Sequence, residues 1–204
     1  MKKIVIATKN ERKLKELRRL LGDIDINVLS LADVPNVPTA EENGESFEEN
    51  SGTKALFYAD KTGIPCLADD SGLEVEALCG EPGVKSARYA GANATDTDLC
   101  EKLLNNLKEI PAARRNAKFI CAATFASSGK IIFTVVGTCS GKIGFERRGT
   151  GGFGYDSVFY PNGRTKTFAE MSPEEKDALS HRSRALTLFK KNLMKLLEEE
   201  HRIW

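Results

Sequence analysis

The stretch Pro65-Cys66-Leu67-Ala68-Asp69-Asp70-Ser71-Gly72-Leu73-Glu74-Val75-Glu76-Ala77-Leu78 decides how this chain is read. Apolar runs flank four small or charged residues. Pro65 to Ala68 and Leu73 to Leu78 therefore read as two strands joined by an Asp-Asp-Ser-Gly turn, a hairpin. Asp, Ser and Gly favour such a turn for backbone reasons alone. The alternative is chemical. Adjacent carboxylates repel unless a cation or water compensates them, and Mg2+ takes oxygen ligands, commonly one or two carboxylates plus substrate phosphates. Neighbouring side chains of an extended segment point to opposite faces, so only one of Asp69 and Asp70 need reach a metal.

Working outward towards the N-terminus, Ile4 to Ala7 is a short apolar strand followed by the turn Thr8-Lys9-Asn10. Asn10 can cap a helix that runs to Gly22, with Leu14, Leu17 and Leu21 at helical spacing. Ile26 to Leu31 is a second strand, and Pro35 to Gly44 a loop carrying Glu41 and Glu42. Ser46, with Glu49 three residues on, opens a helix to about Thr62. Phe47, Ser51, Lys54 and Tyr58 share one face of it. A lysine on that face either snorkels to the edge of the core or neutralises an anion such as a phosphate.

Towards the C-terminus, Thr95 or Asp96 caps a helix carried by Leu99, Leu103 and Leu107. Ala117 to Ala126 and Lys130 to Thr138 form a hairpin around Ser127-Ser128-Gly129. The loop Gly149 to Asp156 is glycine-rich and leads to a short strand, Ser157 to Tyr160. It lacks Gly-Lys-Ser/Thr and no helix follows it, so it is neither a Walker loop nor a dinucleotide fingerprint. Phe153 and Tyr155 offer aromatic faces for a base, and Asp156 a carboxylate for its edge. Ser172-Pro173-Glu174-Glu175 starts a helix reaching towards Glu200, with a break near Ser180-His181. Lys176, His181 and Arg182 there form a dense set of donors suited to carbonyl oxygens on a ligand, although each residue type is also common in structural roles. Alternating strands and helices with two hairpins predict an α/β fold, a mixed sheet flanked by helices, as one domain over residues 1–204.

Composition narrows the class. Thirty basic and 29 acidic side chains leave a formal net charge of +1, without the basic surplus of a general nucleic-acid binder. A nucleic-acid module built on Lys9, Arg12, Lys13, Lys15, Arg18 and Arg19 is therefore disfavoured. Five scattered cysteines and two histidines provide neither a disulfide framework nor a zinc site. The apolar run after Met1-Lys2-Lys3 is too short for a signal peptide or a membrane span, so the expected compartment is the cytoplasm.

In collinear order, Thr8 to Lys13, Ser46 to Asn50 with Lys54-Ala55, Ala68 to Leu73, Pro82-Gly83-Val84, Ser86 to Tyr89, Gly149 to Asp156 and Ser180-His181-Arg182 resemble inosine triphosphate pyrophosphatases, and the likeness spans nearly the whole chain. The resemblance implies two lobes with the active site in the cleft between them. It also implies Mg2+-dependent cleavage of ITP, dITP and XTP between the α- and β-phosphates. On that likeness Asp70 matches the general base and approaches the metal, Asp69 supports it, and Lys54 contacts the phosphates. Glu41 matches a metal-binding glutamate, with Glu42 one position away as the alternative. Thr8, Lys9, Asn10, Glu11, Arg12 and Lys13 match a phosphate-binding turn at a helix N-terminus. Ser71, Phe153, Gly154, Tyr155, Asp156, Lys176, His181 and Arg182 match further substrate contacts, most of them around the base. A homodimer is implied by the family alone. A related pyrophosphatase of the septum-inhibitor group shares a similar fold, but its motifs do not match Phe153 to Asp156 or His181-Arg182.

Overall fold

The computed structural model describes residues 2–22, 24–34 and 37–198. Strand β1 (Lys3–Ile6) is followed by helix α1 (Glu11–Leu21) and strand β2 (Asn27–Ser30). The side chain of Asn10 caps α1, accepting from the amides of Arg12 and Lys13. An 11-residue helix is marginal in water, and burial of Leu14, Leu17 and Leu21 holds it, at about 1.5–3 kcal/mol for each fully buried leucine. Helix α2 (Phe47–Thr62) starts at Ser46 with a reciprocal capping box to Glu49 and ends at Gly63, whose φ is 64°. Phe47, Ser51, Lys54 and Tyr58 are all buried, as their shared face predicts.

The expected hairpin is absent. Cys66–Val75 is one continuous strand, β3, and Asp69-Asp70-Ser71-Gly72 lies in its middle with no turn. β3 lies inside the sheet, paired with β1 at Cys66 and Leu67, and position within the sheet overrides the local turn preference of the four residues that follow. Gly72 accordingly is not among the glycines whose φ is positive.

Helix α3 (Asp96–Asn106), capped by Thr95, precedes strands β4 (Asn116–Ser127) and β5 (Lys130–Ile143). These two are joined by Ser128-Gly129 with φ of 50° and 74°, the backbone of a tight hairpin whose twist suits its strands. Both strands are longer than expected. The short strand β6 (Phe159–Pro161) begins two residues later than expected. The last expected helix is two: α4 (Pro173–Asp177), opened by a Ser172 capping box, and α5 (His181–Glu198). Pro35 and Asn36 of the expected loop, and the expected helix beyond Glu198, lie outside the described residues.

The strands form a mixed sheet in the order β2-β1-β3-β4-β5-β6. β1 pairs parallel with β2 and β3, whereas β5 and β6 are antiparallel. The fold is α/β with a mixed sheet, as expected. Two compact units share the chain. The first holds residues 1–70, 121–137 and 184–204; the second holds 71–120 and 138–183. In the first unit Ile4, Ile6, Leu17, Phe125, Phe189 and Leu193 form one apolar cluster, and Ala55, Tyr58, Ala68 and Ala126 belong to another. In the second, Leu73, Leu103, Phe119, Tyr155, Phe159 and Phe168 pack together. There the buried Arg115 guanidinium donates to the carbonyls of Leu107 (2.5 Å) and Ile110 (3.0 Å) after α3 and of Gly144 after β5, satisfying backbone acceptors of both.

Candidate active site

In the first unit, β3 carries Asp69 and Asp70 side by side, 1% and 8% exposed. Asp69 Oδ2 meets Lys13 Nζ of α1 at 3.1 Å and accepts from the Cys121 thiol at 4.0 Å. The side-chain amide of Asn50 on α2 faces Asp70 and favours its charged form. Burial pushes the Asp70 carboxyl above its ordinary range, against the pull of the Lys54 and Lys13 charges. A carboxylate that holds a proton more readily than usual is a better general base.

Lys54 projects from the same face of α2. Burial alone would lower its pKa, but Asp69, Glu42 and Asp70 outweigh that, so the ammonium stays charged. Its Nζ donates to Glu42 Oε2 at 2.9 Å. Glu41, expected as the metal-binding glutamate, is instead exposed and accepts from Asn43 Nδ2. Chain geometry explains the exchange. Residues 40–45 run extended and antiparallel to α2: Ala40 N donates to Tyr58 Oη (3.3 Å), Glu42 meets Lys54, Gly44 N donates to Asn50 Oδ1 (2.8 Å), and Glu45 N donates to Glu49 Oε2 (2.7 Å). Four helical residues advance about 6 Å and two extended residues about 6.6 Å, so every second loop residue meets the next turn of the helix. Even-numbered positions face α2; Glu41 and Asn43 face away.

The turn before α1 is arranged differently from the simple anion cradle expected. Asn10 Oδ1 already takes the amides of Arg12 (3.0 Å) and Lys13 (3.2 Å), and Thr8 Oγ1 takes the amide of Asn10 (3.2 Å). Lys9 Nζ donates to Thr39 Oγ1 at 2.6 Å. Glu11 and Arg12 are exposed. With these three amides engaged, the turn presents side-chain charge and the positive end of the helix dipole.

The second unit assembles the other expected residues. Lys176 Nζ on α4 pairs with Asp156 Oδ2 at 2.7 Å, both nearly fully buried. The same oxygen accepts from Phe153 N at 2.8 Å, and a Cβ at Gly152, whose φ is 68°, would overlap it. That loop position therefore requires glycine. The Lys176 ammonium lies 5.0 Å from the Phe153 ring centre and 5.6 Å from that of Phe168. Arg182 lies over Phe153 at 5.6 Å and donates to Ser71 Oγ at 2.8 Å. His181 stacks on Phe119, centroids 4.7 Å apart and planes within 10°. Phe153, Lys176, His181, Arg182 and Ser71 are thus linked to one another or to shared aromatic neighbours. Tyr155 is not presented as an aromatic face. It is buried in the core, and its hydroxyl donates to Ser86 O at 2.9 Å. Asp156 is engaged by Lys176 and Phe153, which makes it a loop and lysine anchor. The Gly154 carbonyl accepts from the Cys100 thiol at 3.3 Å.

A model of the Ham1 family matches residues 4–192. The chain belongs to the Ham1 family. It is 47% identical over 193 residues to the dITP/XTP pyrophosphatase of Geobacter sulfurreducens, covering 95% of this chain and 97% of that protein. The dITP/XTP pyrophosphatase of Geobacillus kaustophilus is 48% identical and covers 92% of each chain. Among solved structures, a HAM1 protein from Coxiella burnetii aligns with a TM-score of 0.88 at 40% identity, covering 96% of this chain and all of that one (100%). The Ham1 protein of Staphylococcus aureus gives a TM-score of 0.84 at 39% identity, over 98% of this chain and 100% of that one.

In this Ham1-family chain, the sequence reading gave Asn50 no role of its own, and of the two glutamates it weighed Glu42 is the one paired with Lys54. The spacing of Asn50, Lys54 and Tyr58, four residues apart, was the available signal for the first. All five cysteines are free thiols. Cys66, near Lys54, has its thiol pushed up to about 12 by burial, so it stays protonated at neutral pH and is no nucleophile.

Proposed function

We propose that this chain is a Mg2+-dependent pyrophosphohydrolase that converts dITP, XTP and ITP to the nucleoside monophosphate and pyrophosphate, clearing non-standard purine nucleotides from the pool. The observation that carries the reading is the buried Asp70 carboxylate set among Lys54, Lys13, Asn50 and Glu42 in a chain of the Ham1 family. Asp70 takes a proton from a water whose oxygen bonds to the α-phosphorus. The bond to the bridging oxygen breaks as pyrophosphate leaves. Lys54, Lys13 and Lys9 supply positive charge for the phosphates.

The donor set suits Mg2+, because Glu42 and Asp70 are hard oxygen ligands in the number this ion usually takes from protein. These two residues would hold the ion, which supplies charge neutralisation on the triphosphate when bound. Lys54 must then share or release Glu42.

Lys176, His181 and Arg182 in the second unit fit the 6-oxo group of hypoxanthine and xanthine. Adenine would set an amine against those donors, and buried donors left unpaired discriminate strongly. Phe153 provides the aromatic face. We read residues 1–204 as one catalytic domain; the family likeness supports a homodimer working in the cytoplasm. Among the described residues no helix is long and apolar enough to cross a membrane.

A panel of dITP, XTP, ITP, GTP and ATP with Mg2+, products separated by ion-exchange chromatography, tests the reading. Pyrophosphate should be released from dITP, XTP and ITP, with GTP and ATP much poorer. Release of orthophosphate alone would overturn the reaction, and equal turnover of ATP would overturn the base assignment.

A further inference from the structure

Asn50 holds the segment that carries Glu42 and faces Asp70, so it needs to contact neither substrate nor metal to matter. It is 3% exposed on the inward face of α2. Its side-chain oxygen accepts the Gly44 amide at 2.8 Å, and its Nδ2 lies 3.5 Å from the Gly44 carbonyl. The contact is also steric: a Cβ on Gly44 would stand 2.9 Å from Asn50 Oδ1 and 2.9 Å from Glu49 Cβ. The extended segment is thus seated against α2 at Gly44, two residues from Glu42, and a one-residue slip would turn Glu41 inward. The same amide faces Asp70 and favours its charged form. A primary amide has two N–H donors and one carbonyl acceptor, so one side chain can serve both segments. A neutral donor can orient a carboxylate without adding a full positive charge that would weaken it as a base.

We infer that Asn50 is a positioning residue for the hydrolytic reaction: its carbonyl oxygen sets the register of the Glu42 segment through Gly44, and its N–H sets the orientation of Asp70. This rests on Asp70 being the base in the reading above.

Three variants separate the two halves. Asn50→Asp keeps an acceptor for Gly44 N but loses the donor to Asp70. Asn50→Ala loses both. Gly44→Ala disturbs the loop contact and leaves the amide in place. Hydrogen exchange at the Gly44 amide reports the loop independently of turnover. For Asn50→Asp the expectation is retained Gly44 protection, KM for dITP within about 3-fold of wild type, and kcat lower by roughly 10- to 100-fold, the size of a lost hydrogen bond to a charged group. Gly44→Ala should lose protection and raise the Mg2+ concentration needed for half-maximal rate. Asn50→Ala should show both defects.

An Asn50→Asp variant with protected Gly44 and wild-type kcat would reduce Asn50 to a loop tie and sink the inference. An Asn50→Ala variant with wild-type kinetics would sink it too. A wild-type chain that releases no pyrophosphate would instead remove the functional reading on which it stands, so the two failures are distinguishable.

Discussion

Lys54 and Lys176 invite comparison, because each is buried on a helix and each touches a carboxylate, at 2.9 and 2.7 Å. Their surroundings differ in sign. Lys54 lies among Glu42, Asp69 and Asp70, with Lys13 as a nearby cation. Lys176 has Asp156 and two phenylalanine rings, with Arg182 over one of those rings. On the proposed reading the first cluster, Glu42, Asp69 and Asp70 around two lysines, takes a divalent cation. On the same reading the second, with Lys176 and Arg182 beside Asp156, takes a ligand oxygen. Similar burial and pairing therefore serve opposite needs, and the surplus charge around each pair distinguishes them.

The largest expected effect tests the acid-rich side. Asp70→Asn should lower kcat by about 10^3-fold or more, at the upper range for loss of a general base. The fold should not suffer. Burial holds the Asp70 carboxyl above its ordinary 3.8, so wild-type stability is full below that value and falls as pH rises through the raised pKa. Asparagine carries no such penalty. The variant should melt at or above wild type at pH 7, with the advantage vanishing in acid. A variant that melts well below wild type at pH 7 would show that the carboxylate stabilises the fold.

The next effect sets the two clusters against each other. Asp156→Asn leaves Lys176 buried without its carboxylate and should cost roughly 3–5 kcal/mol of stability. Lys54→Ala leaves its carboxylates under-compensated, and should lower both turnover and melting temperature. Thermal melts with and without Mg2+ should part the two. The ion can relieve the surplus acid that Lys54→Ala leaves behind, but not the surplus base that Asp156→Asn leaves around Lys176. Equal rescue of both would erase the distinction drawn between them.

The smallest effect is the most pointed. Glu41→Gln should change the Mg2+ activation midpoint by less than about 2-fold, as expected for an exposed charge. Glu42→Gln should shift it markedly. The reverse ranking would mean that residues 40–45 pair with α2 one residue out of the register described.

Much of the molecule was legible before any fold was known. The ends of α1, α2 and α3 follow from Asn10, Ser46 with Glu49, and Thr95, whose side chains reach backbone amides only two or three residues away. The break before His181 was visible as well. The sequence reading singled out Asp70, Lys54, Lys176, His181 and Arg182, and the structure buries all five; the buried face of α2 was legible from its spacing. Tyr155 was not, since nothing local says whether an aromatic ring in a glycine-rich loop faces a ligand or the core.

What the sequence by itself determined was therefore everything written within about one helical turn: caps, apolar stripes, the Ser128-Gly129 hairpin and the family's motifs. Tertiary structure alone decided that Asp69-Asp70-Ser71-Gly72 continues as a strand, that Glu42 faces Lys54 while Glu41 does not, and that Tyr155 is core. In each case the deciding partner is distant in the chain or belongs to another element: the strands flanking β3, the face of α2, and the carbonyl of Ser86. The same four residues that favour a turn in isolation continue as strand inside the sheet, where tertiary context overrides local preference.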